Sequence, residues 1–544
     1  MYPFSSQQTH FCRFLFKKHN KYQHWNNLPV YQIKWTNFRD IYDDITSEKS
    51  QMPSAEKIPR FRFGQRQAEA SFTKRNKDED FNHTQRAPPS CYLKYLCPYL
   101  LLLLMMSQVQ CTLGAGNKLL VLLVDGLRWD YVNQADLPGF QTLFESGSHV
   151  HHIDPEFPTL CYPNYYSFVT GLFPENHGMI GNNMYDSIKN EYFSSSMNTS
   201  AHWWEDGEPI WVTAKKQGKR SYLFHWPGCN RSIRDTRPDY CRPYVSFPSM
   251  QEYMGSMVEG LNALHNDSAD FVGLYNEHLD MVGHRYGPNS KQLRNMLIDL
   301  DKTIVFLLQD LTERGLRDKV NVLLLSDHGM TDISMERIID LRRYISKRDL
   351  AQTLDGGSYT NIWPLRHVTD KVYKKLKNAH PNMTIYQKHT LPDVWHYQHS
   401  HRVAPLTAVA DNGWYILTYT NGYVVYTEKK RPALGWHGYS SQEPDMWPMF
   451  AGSGPDIVRN QTLPSIRMTD IYQMMCHLLK IEPAPHNGTW PRVERMIATT
   501  MQDPIHGVHQ APVVILGTHS QGQPLTLNFV TLTLGLLLAM FMVS

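Results

Sequence analysis

Cysteine is scarce, with eight in 544 residues, and no two stand at the CxxC spacing. That density is far below a disulfide-built scaffold, and it makes a thiolate zinc knuckle the weaker reading of any Cys pair. Charge of one sign is also lacking: 54 Lys and Arg stand against 51 Asp and Glu, a formal net charge of +3. Without a long basic run there is no phosphate-backbone footprint, so nucleic acid is not an expected partner. No internal repeat and no long Gly/Ser linker breaks the chain. Its length allows one large domain or several ordinary ones.

Long apolar runs are few, and the two clearest lie near the ends. LCPYLLLLLMM, residues 96–106, has the length of a signal-peptide core, so 95–114 reads as a signal-like segment and 1–94 as an ill-ordered extension or an artefact upstream of the true start. A signal-anchor is the alternative. At the other end LTLNFVTLTLGLLLAMFMV, residues 525–543, follows GTHSQGQP without a basic stop. A spacer with an attachment region at 501–522 and an apolar tail at 523–544 is the pattern of a glycosylphosphatidylinositol anchor signal, with a retained single span as the alternative. Sequons at Asn82, Asn198, Asn230, Asn266, Asn382, Asn460 and Asn487 fit an exported glycoprotein. The expected location is the outer face of the plasma membrane, with a secreted fraction. Cys229 and Cys241, in PGCNRSIRDTRPDYC, can close a short disulfide loop there, whereas Cys476 reads as a free buried thiol.

Within the body, residues 115–500, three apolar runs end in polar clusters: KLLVLLVDG (118–126), ADFVGLYNEHLD (269–280) and KVNVLLLSDHG (319–329). Such runs, separated by helical periodicity as at 292–314, predict buried parallel strands of an α/β fold. Residues 364–433, with MTIYQK and GWYILTYTNGYVVYT, predict a small antiparallel addition. Open α/β sheets hold ligands at the carboxyl ends of their strands.

The polar residues at those ends are Asp125, Asp280, His284, Asp327 and His328, with His437 in LGWHGYS. Singly, an Asp-Gly is a turn and a His an ordinary surface group. Together they are three carboxylates and three imidazoles, more than one metal needs. That donor mixture suits Zn²⁺ better than Mg²⁺ or Ca²⁺, and two zinc ions about 4 Å apart can clamp both oxygens of an in-line phosphoryl displacement. Phosphate-ester hydrolysis is the chemistry this pattern predicts.

These residues resemble the ectonucleotide pyrophosphatase/phosphodiesterases of the alkaline phosphatase superfamily. LLVDGLRWDY, FPTLCYPNYYSFVTGLFPENHGMIGNNMYD, HLDMVGHRYGP, LLLSDHGM and GWHGY follow the family's order over about 120–490. The resemblance implies an alkaline phosphatase-like α/β sandwich, a central mainly parallel sheet flanked by helices. It implies two zinc ions, one held by Asp125, Cys161, Asp327 and His328, the other by Asp280, His284 and His437. It also implies that Asn182 binds a phosphate oxygen. FPTLCYPNYY, HWPGC with RPDYC, and GWHGYS look most like the sixth, choline-specific member. That likeness implies glycerophosphocholine and lysophosphatidylcholine as substrates, phosphocholine as product, and a cation–π cage drawn from Tyr275, Trp226, Tyr244 and Tyr165. A nucleotide phosphodiesterase on the same scaffold is the alternative. A homodimer stays open.

One position departs from the family. Its Thr or Ser nucleophile stands two residues before Pro-Asn, and counting back from Pro163 reaches Cys161, not Thr159. Cys161 is then a metal-activated thiolate nucleophile, a ligand to zinc while water attacks, or the mark of a pseudoenzyme that binds choline lipids without turnover. A Ser-to-Cys sequence error is the remaining alternative.

Overall fold

A computed structural model describes residues 118–194, 200–244, 248–421, 425–426 and 431–498. The N-terminal extension, the signal-like segment, the anchor region with its tail, Asn82 and Asn198 lie outside the described residues. Among the described residues no helix is long and apolar enough to cross a membrane.

Strand β1, Lys118–Val124, is buried along its whole length. It pairs in parallel with β2, Phe271–Asn276, on one side and with β3, Val320–Leu325, on the other. Its alternate residues feed two different cores. Leu119, Val121 and Leu123 pack with Tyr166, Phe168 and Met475; Leu120, Leu122 and Val124 pack with Leu261, Leu297 and Ile304. A strand buried on both faces reads as a continuous apolar run, which is why KLLVLLV carries no polar side on its way to Asp125. Each fully buried Leu or Val contributes about 2 kcal/mol.

Five more strands complete an eight-stranded, mostly parallel sheet. In spatial order it runs Gln461–Arg467, Gly147–Asp154, Phe450–Ser453, β3, β1, β2, Ser221–Trp226, Tyr240–Pro243. Phe450–Ser453 is antiparallel to both its neighbours. Helices cover both faces, among them α1, Cys161–Thr170, and Asp470–Leu479 on one, Met250–His265 and Lys291–Glu313 on the other. The fold is the expected α/β sandwich with a small antiparallel addition.

Two expectations are adjusted. The run 269–280 is not all strand: β2 stops at Asn276, whose side-chain oxygen accepts the His278 N–H at 3.0 Å, and α2, His278–Tyr286, begins. Asp280 therefore lies in the first turn of a helix. In the addition, Met383–Gln387 joins an antiparallel sheet with Leu350–Leu354, Tyr359–Pro364 and Leu406–Ala410. Tyr415–Leu417 instead turns away at Gly413 (φ +80°) and pairs in parallel with Ile338–Asp340.

Candidate active site

The register Val124↔Asn276 and Leu123↔Leu325 brings three strand ends to one edge of the sheet. Asp125 leaves β1 there, Ser326-Asp327-His328 leaves β3, and α2 starts beside them. Asp280 and His284, one helical turn apart, share a face of α2, with His284 Nε2 3.5 Å from Asp280 Oδ1.

Cys161 is the first residue of α1, and its N-cap, Leu160, offers no side-chain cap. The loop before it is held by Asn164. Its Oδ1 accepts from the Glu156 N–H at 2.7 Å, and its Nδ2 lies 3.1 Å from each of the carbonyls of Glu156, Pro158 and Leu160. Asn182 serves the open helix end: its Oδ1 accepts from the Tyr162 N–H at 3.1 Å, and its Nδ2 donates to Cys161 Sγ at 3.5 Å. Thr159 faces elsewhere. Its hydroxyl donates to the Tyr439 carbonyl and accepts from the Gly438 N–H, both at 3.0 Å, and is fully buried. Of the two candidates for the nucleophile position, only Cys161 stands among ligand-type atoms.

Those atoms fall into two groups, Asp125–Cys161–Asp327–His328 and Asp280–His284–His437, joined by a third, Cys161–His328–His437, with ligand atoms within 4.8 Å of one another in each. Cys161 Sγ lies 3.4 Å from His328 Nε2, which is 3.2 Å from Asp125 Oδ1 and 3.5 Å from Asp327 Oδ2. His437 Nε2 is 3.6 Å from Asp280 Oδ1 and 3.2 Å from His284 Nε2. All three imidazoles are anchored through Nδ1 to a carbonyl: His328 to Gly329 at 2.9 Å, His284 to Gly435 at 2.9 Å, His437 to Thr159 at 3.0 Å. A carbonyl only accepts, so each Nδ1 carries a proton and each Nε2 is left facing the site.

One oxygen of each carboxylate, Asp125 Oδ1, Asp280 Oδ1 and Asp327 Oδ2, is buried without a hydrogen-bond donor. Unpaired buried carboxylate oxygens are costly, and a cation between them and the imidazole lone pairs removes the cost. The residues thus fit metal ions, and the N, O and S donor set fits zinc.

The proton affinities agree. Burial pushes the His284 imidazole down to about 4, and burial with the neighbouring imidazoles takes His437 well below the ordinary range, so both rings are neutral ligands. Burial and the charge of Asp125 raise Asp327 to about 7 and lift Asp280 and the Cys161 thiol well up. His328 goes the other way: burial opposes its protonation, but Asp327 and Cys161 outweigh it and raise its pKa. Burial works against Asp125 too, yet the close His328 imidazole and the hydroxyl of Tyr275 hold it below the ordinary carboxylate range. The pocket calls for positive charge.

The expected aromatic cage is not assembled. Trp226 is fully buried against Tyr165 and Phe168, and Tyr165 donates its hydroxyl to the Pro227 carbonyl at 2.6 Å within the same core. Tyr275 donates its hydroxyl to Asp125 Oδ2, and Tyr244 donates to Glu277 Oε2 at 2.6 Å, with their rings 5.8 Å apart. Tyr162, next to Cys161 and half-buried, was not singled out from the sequence, and neither were Thr159 as the anchor of His437 or Asn164 as the staple of the loop. The Pro-Asn after Cys161 was the available signal for Asn164.

Cys229 and Cys241 form a disulfide, and Cys476 is a buried free thiol. Asn230, Asn266 and Asn460 are exposed. Asn382 and Asn487 are half-buried and hydrogen-bonded, to Asp411 and to the Phe173 N–H.

Carboxylates and imidazoles gathered from two parallel strand ends, a neighbouring helix and the loop of His437, with a nucleophile position at a helix N-terminus beside them, define a hydrolase of the metal-dependent phosphoryl-transfer class. The chain belongs to the type I phosphodiesterase / nucleotide pyrophosphatase family, whose description matches residues 119–440. It is 36% identical over 387 residues to human ectonucleotide pyrophosphatase/phosphodiesterase family member 5, covering 71% of this chain and 79% of that protein. It is 38% identical over 378 residues to the bis(5'-adenosyl)-triphosphatase of Mus musculus, covering 69% and 80%. Among solved structures it resembles murine family member 5, an inactive Thr-to-Ala variant in complex with AMP, with a TM-score of 0.65, 36% identity, and coverage of 70% of this chain and all of that one. The human protein gives a TM-score of 0.66 at the same identity and coverage.

The expected likeness to the choline-specific member is corrected by these relatives, which carry nucleotide names and not choline ones. The segments behind it report the scaffold: Trp226 of HWPGC packs in the core, both cysteines are in the disulfide, and His437 of GWHGYS sits among the ligands.

Proposed function

We propose that the chain is a zinc-dependent nucleotide pyrophosphatase/phosphodiesterase that releases a nucleoside monophosphate. The observation that carries this reading is the convergence of Cys161, at the open N-terminus of α1, with two adjoining groups of buried ligand atoms. Asp125, Asp327, His328 and Cys161 would hold one zinc, and Asp280, His284 and His437 the other. Bound zinc would supply Lewis-acid charge to the phosphoryl oxygens and keep the thiol ionised. Cys161 Sγ then attacks phosphorus, the S–P bond forms as the bond to the leaving oxygen breaks, and Asn182 Nδ2 and the first turn of α1 face the equatorial oxygens. Water cleaves the S–P bond, giving one proton to the medium and returning the thiolate.

Half-buried Tyr162, next to Cys161, and Tyr244, whose ring lies 5.8 Å from that of Tyr275 beside Asp125, would give a planar base a stacking surface. The relatives' nucleotide names favour that use over a choline cage. The exposed sequons and the disulfide support an extracellular location, with tethering through the C-terminal region.

The test offers the purified protein diadenosine triphosphate, a nitrophenyl nucleotide and glycerophosphocholine, with and without a chelator. AMP or nitrophenol is expected from the first two, and chelation abolishes it. Phosphocholine release without nucleotide turnover overturns the reading. The cysteine favours one second reading, a nucleotide-binding protein without turnover, which would bind AMP and cleave none of the three.

A further inference from the structure

The turn from Leu350–Leu354 into Tyr359–Pro364 contributes no ligand atom to either group, yet it reaches the active-site loop. Asp355 lies in this turn with φ 57°, a left-handed conformation that non-glycine residues adopt rarely. Its Oδ1 accepts from both the backbone N–H and the side-chain Nδ2 of Asn183, at 3.1 and 3.0 Å. Its Oδ2 accepts from the Tyr359 hydroxyl at 2.5 Å, and the Tyr359 hydroxyl oxygen lies 3.4 Å from the Ile180 carbonyl.

Gly181 lies against the same pair. A Cβ there would come within 2.4 Å of Asp355 Oδ2 and 2.5 Å of the Tyr359 hydroxyl. The loop is therefore gripped at Ile180, Gly181 and Asn183, and the one residue of the four left to face the nucleophile is Asn182. The bare backbone at Gly181 is what lets the loop sit this close to a carboxylate.

We infer that Asp355 is a positioning residue, holding Asn182 where its amide meets the phosphoryl oxygens. It touches neither Cys161 nor a ligand of the two groups, so it acts only through the loop. This rests on the phosphoryl-transfer reading above. A residue that acts this way lowers kcat, because the Asn182 contact matters most as charge develops on phosphorus, and leaves KM for the nucleotide nearly unchanged.

The test is a double-mutant cycle on the full zinc-loaded chain, with Asp355→Asn, Asn182→Ala and the pair, read by orthovanadate affinity and by kcat on a nitrophenyl nucleotide. Asp355→Asn and Asn182→Ala are each expected to weaken vanadate binding about tenfold, and the pair no more than Asn182→Ala alone. Zinc content stays as in the native protein. Gly181→Ala, which pushes the loop off the Asp355–Tyr359 pair, gives the same loss and the same epistasis should Asp355→Asn fold poorly. Losses that multiply in the pair, unaltered vanadate affinity in Asp355→Asn, or loss of zinc from it would each overturn the assignment. Native protein that binds vanadate but cleaves no nucleotide refutes the catalytic reading alone, since the vanadate cycle still reports on Asp355.

Discussion

His284 and His437 turn their Nε2 atoms toward each other at 3.2 Å while both commit their Nδ1 protons to backbone carbonyls. Two lone pairs at that distance repel unless a cation lies between them and Asp280. Chelation is therefore expected to lower Tm, and zinc to restore it, by mass action on the folded state. Elemental analysis of His437→Ala should find about one zinc per chain where the native protein holds about two, following the ligand sets. Two tightly held ions in that variant would sink the assignment of His437.

Tyr275 carries a separable prediction. Its hydroxyl supports Asp125 from outside the ligand group, so Tyr275→Phe removes one donor and leaves the ring. Such supporting bonds are worth about 10- to 100-fold in metal affinity. Competition with a metal indicator should report a loss in that range. If Tyr275 acted only as a stacking surface, the variant would bind zinc normally.

Cys161 decides the mechanism. Cys161→Ala is expected to cut turnover by about 10⁴-fold or more, as loss of a nucleophile does. Cys161→Thr should turn over faster than the native protein, because oxygen is a harder nucleophile toward phosphorus than sulfur and the soft thiolate would be the tighter zinc ligand. Turnover that survives Cys161→Ala would falsify covalent catalysis and leave water as the attacking group. Acid-quenched native protein should carry phosphorus on Cys161 by mass spectrometry.

Glu156 gives a pH signature away from the metals. Its side chain is 1% exposed, its Oε1 has no hydrogen-bond donor, and Arg467 Nε is 3.4 Å away. Burial outweighs Arg467 and pushes its pKa up to about 8. Between the unfolded value near 4.5 and about 8 the native state holds a proton that the unfolded chain has lost. Glu156 therefore costs increasing stability as pH rises through that window, with no further change above it. Glu156→Gln should match the native protein in Tm near pH 5, exceed it by a growing margin up to pH 8, and keep a constant margin beyond. A margin that shrinks with pH would mean that Arg467 neutralises the carboxylate fully.

The central strands and their polar ends were legible because β1 from Leu119 and β3 from Val322 are continuous apolar runs, a pattern that ends at Asp125 and at Ser326-Asp327. The ligands stood out by type, since buried Asp and His seldom cluster without cause. The boundary at Asn276 was not legible, because the turn into the helix is made by a short-range bond from the His278 N–H to the Asn276 side chain within the polar cluster NEHLD, which reads equally as a strand end. Trp226 and Tyr275 misled for a different reason. An aromatic near a motif has the same one-dimensional signature whether its ring faces a ligand, a core or a neighbouring carboxylate. Thr159 offers its backbone carbonyl to the His437 ring 278 residues away, and Asp355 accepts from the Asn183 backbone N–H 172 residues away; spacing carries no trace of such partners.

Asn164 grips the loop before Cys161 entirely by main-chain atoms. No side chain at position 161 is needed to shape the turn that presents it. Attack chemistry and architecture are thereby uncoupled: hydroxyl and thiol can trade places at this one site while the frame around it stays still. A lineage can explore the softness of its nucleophile without first rebuilding the fold.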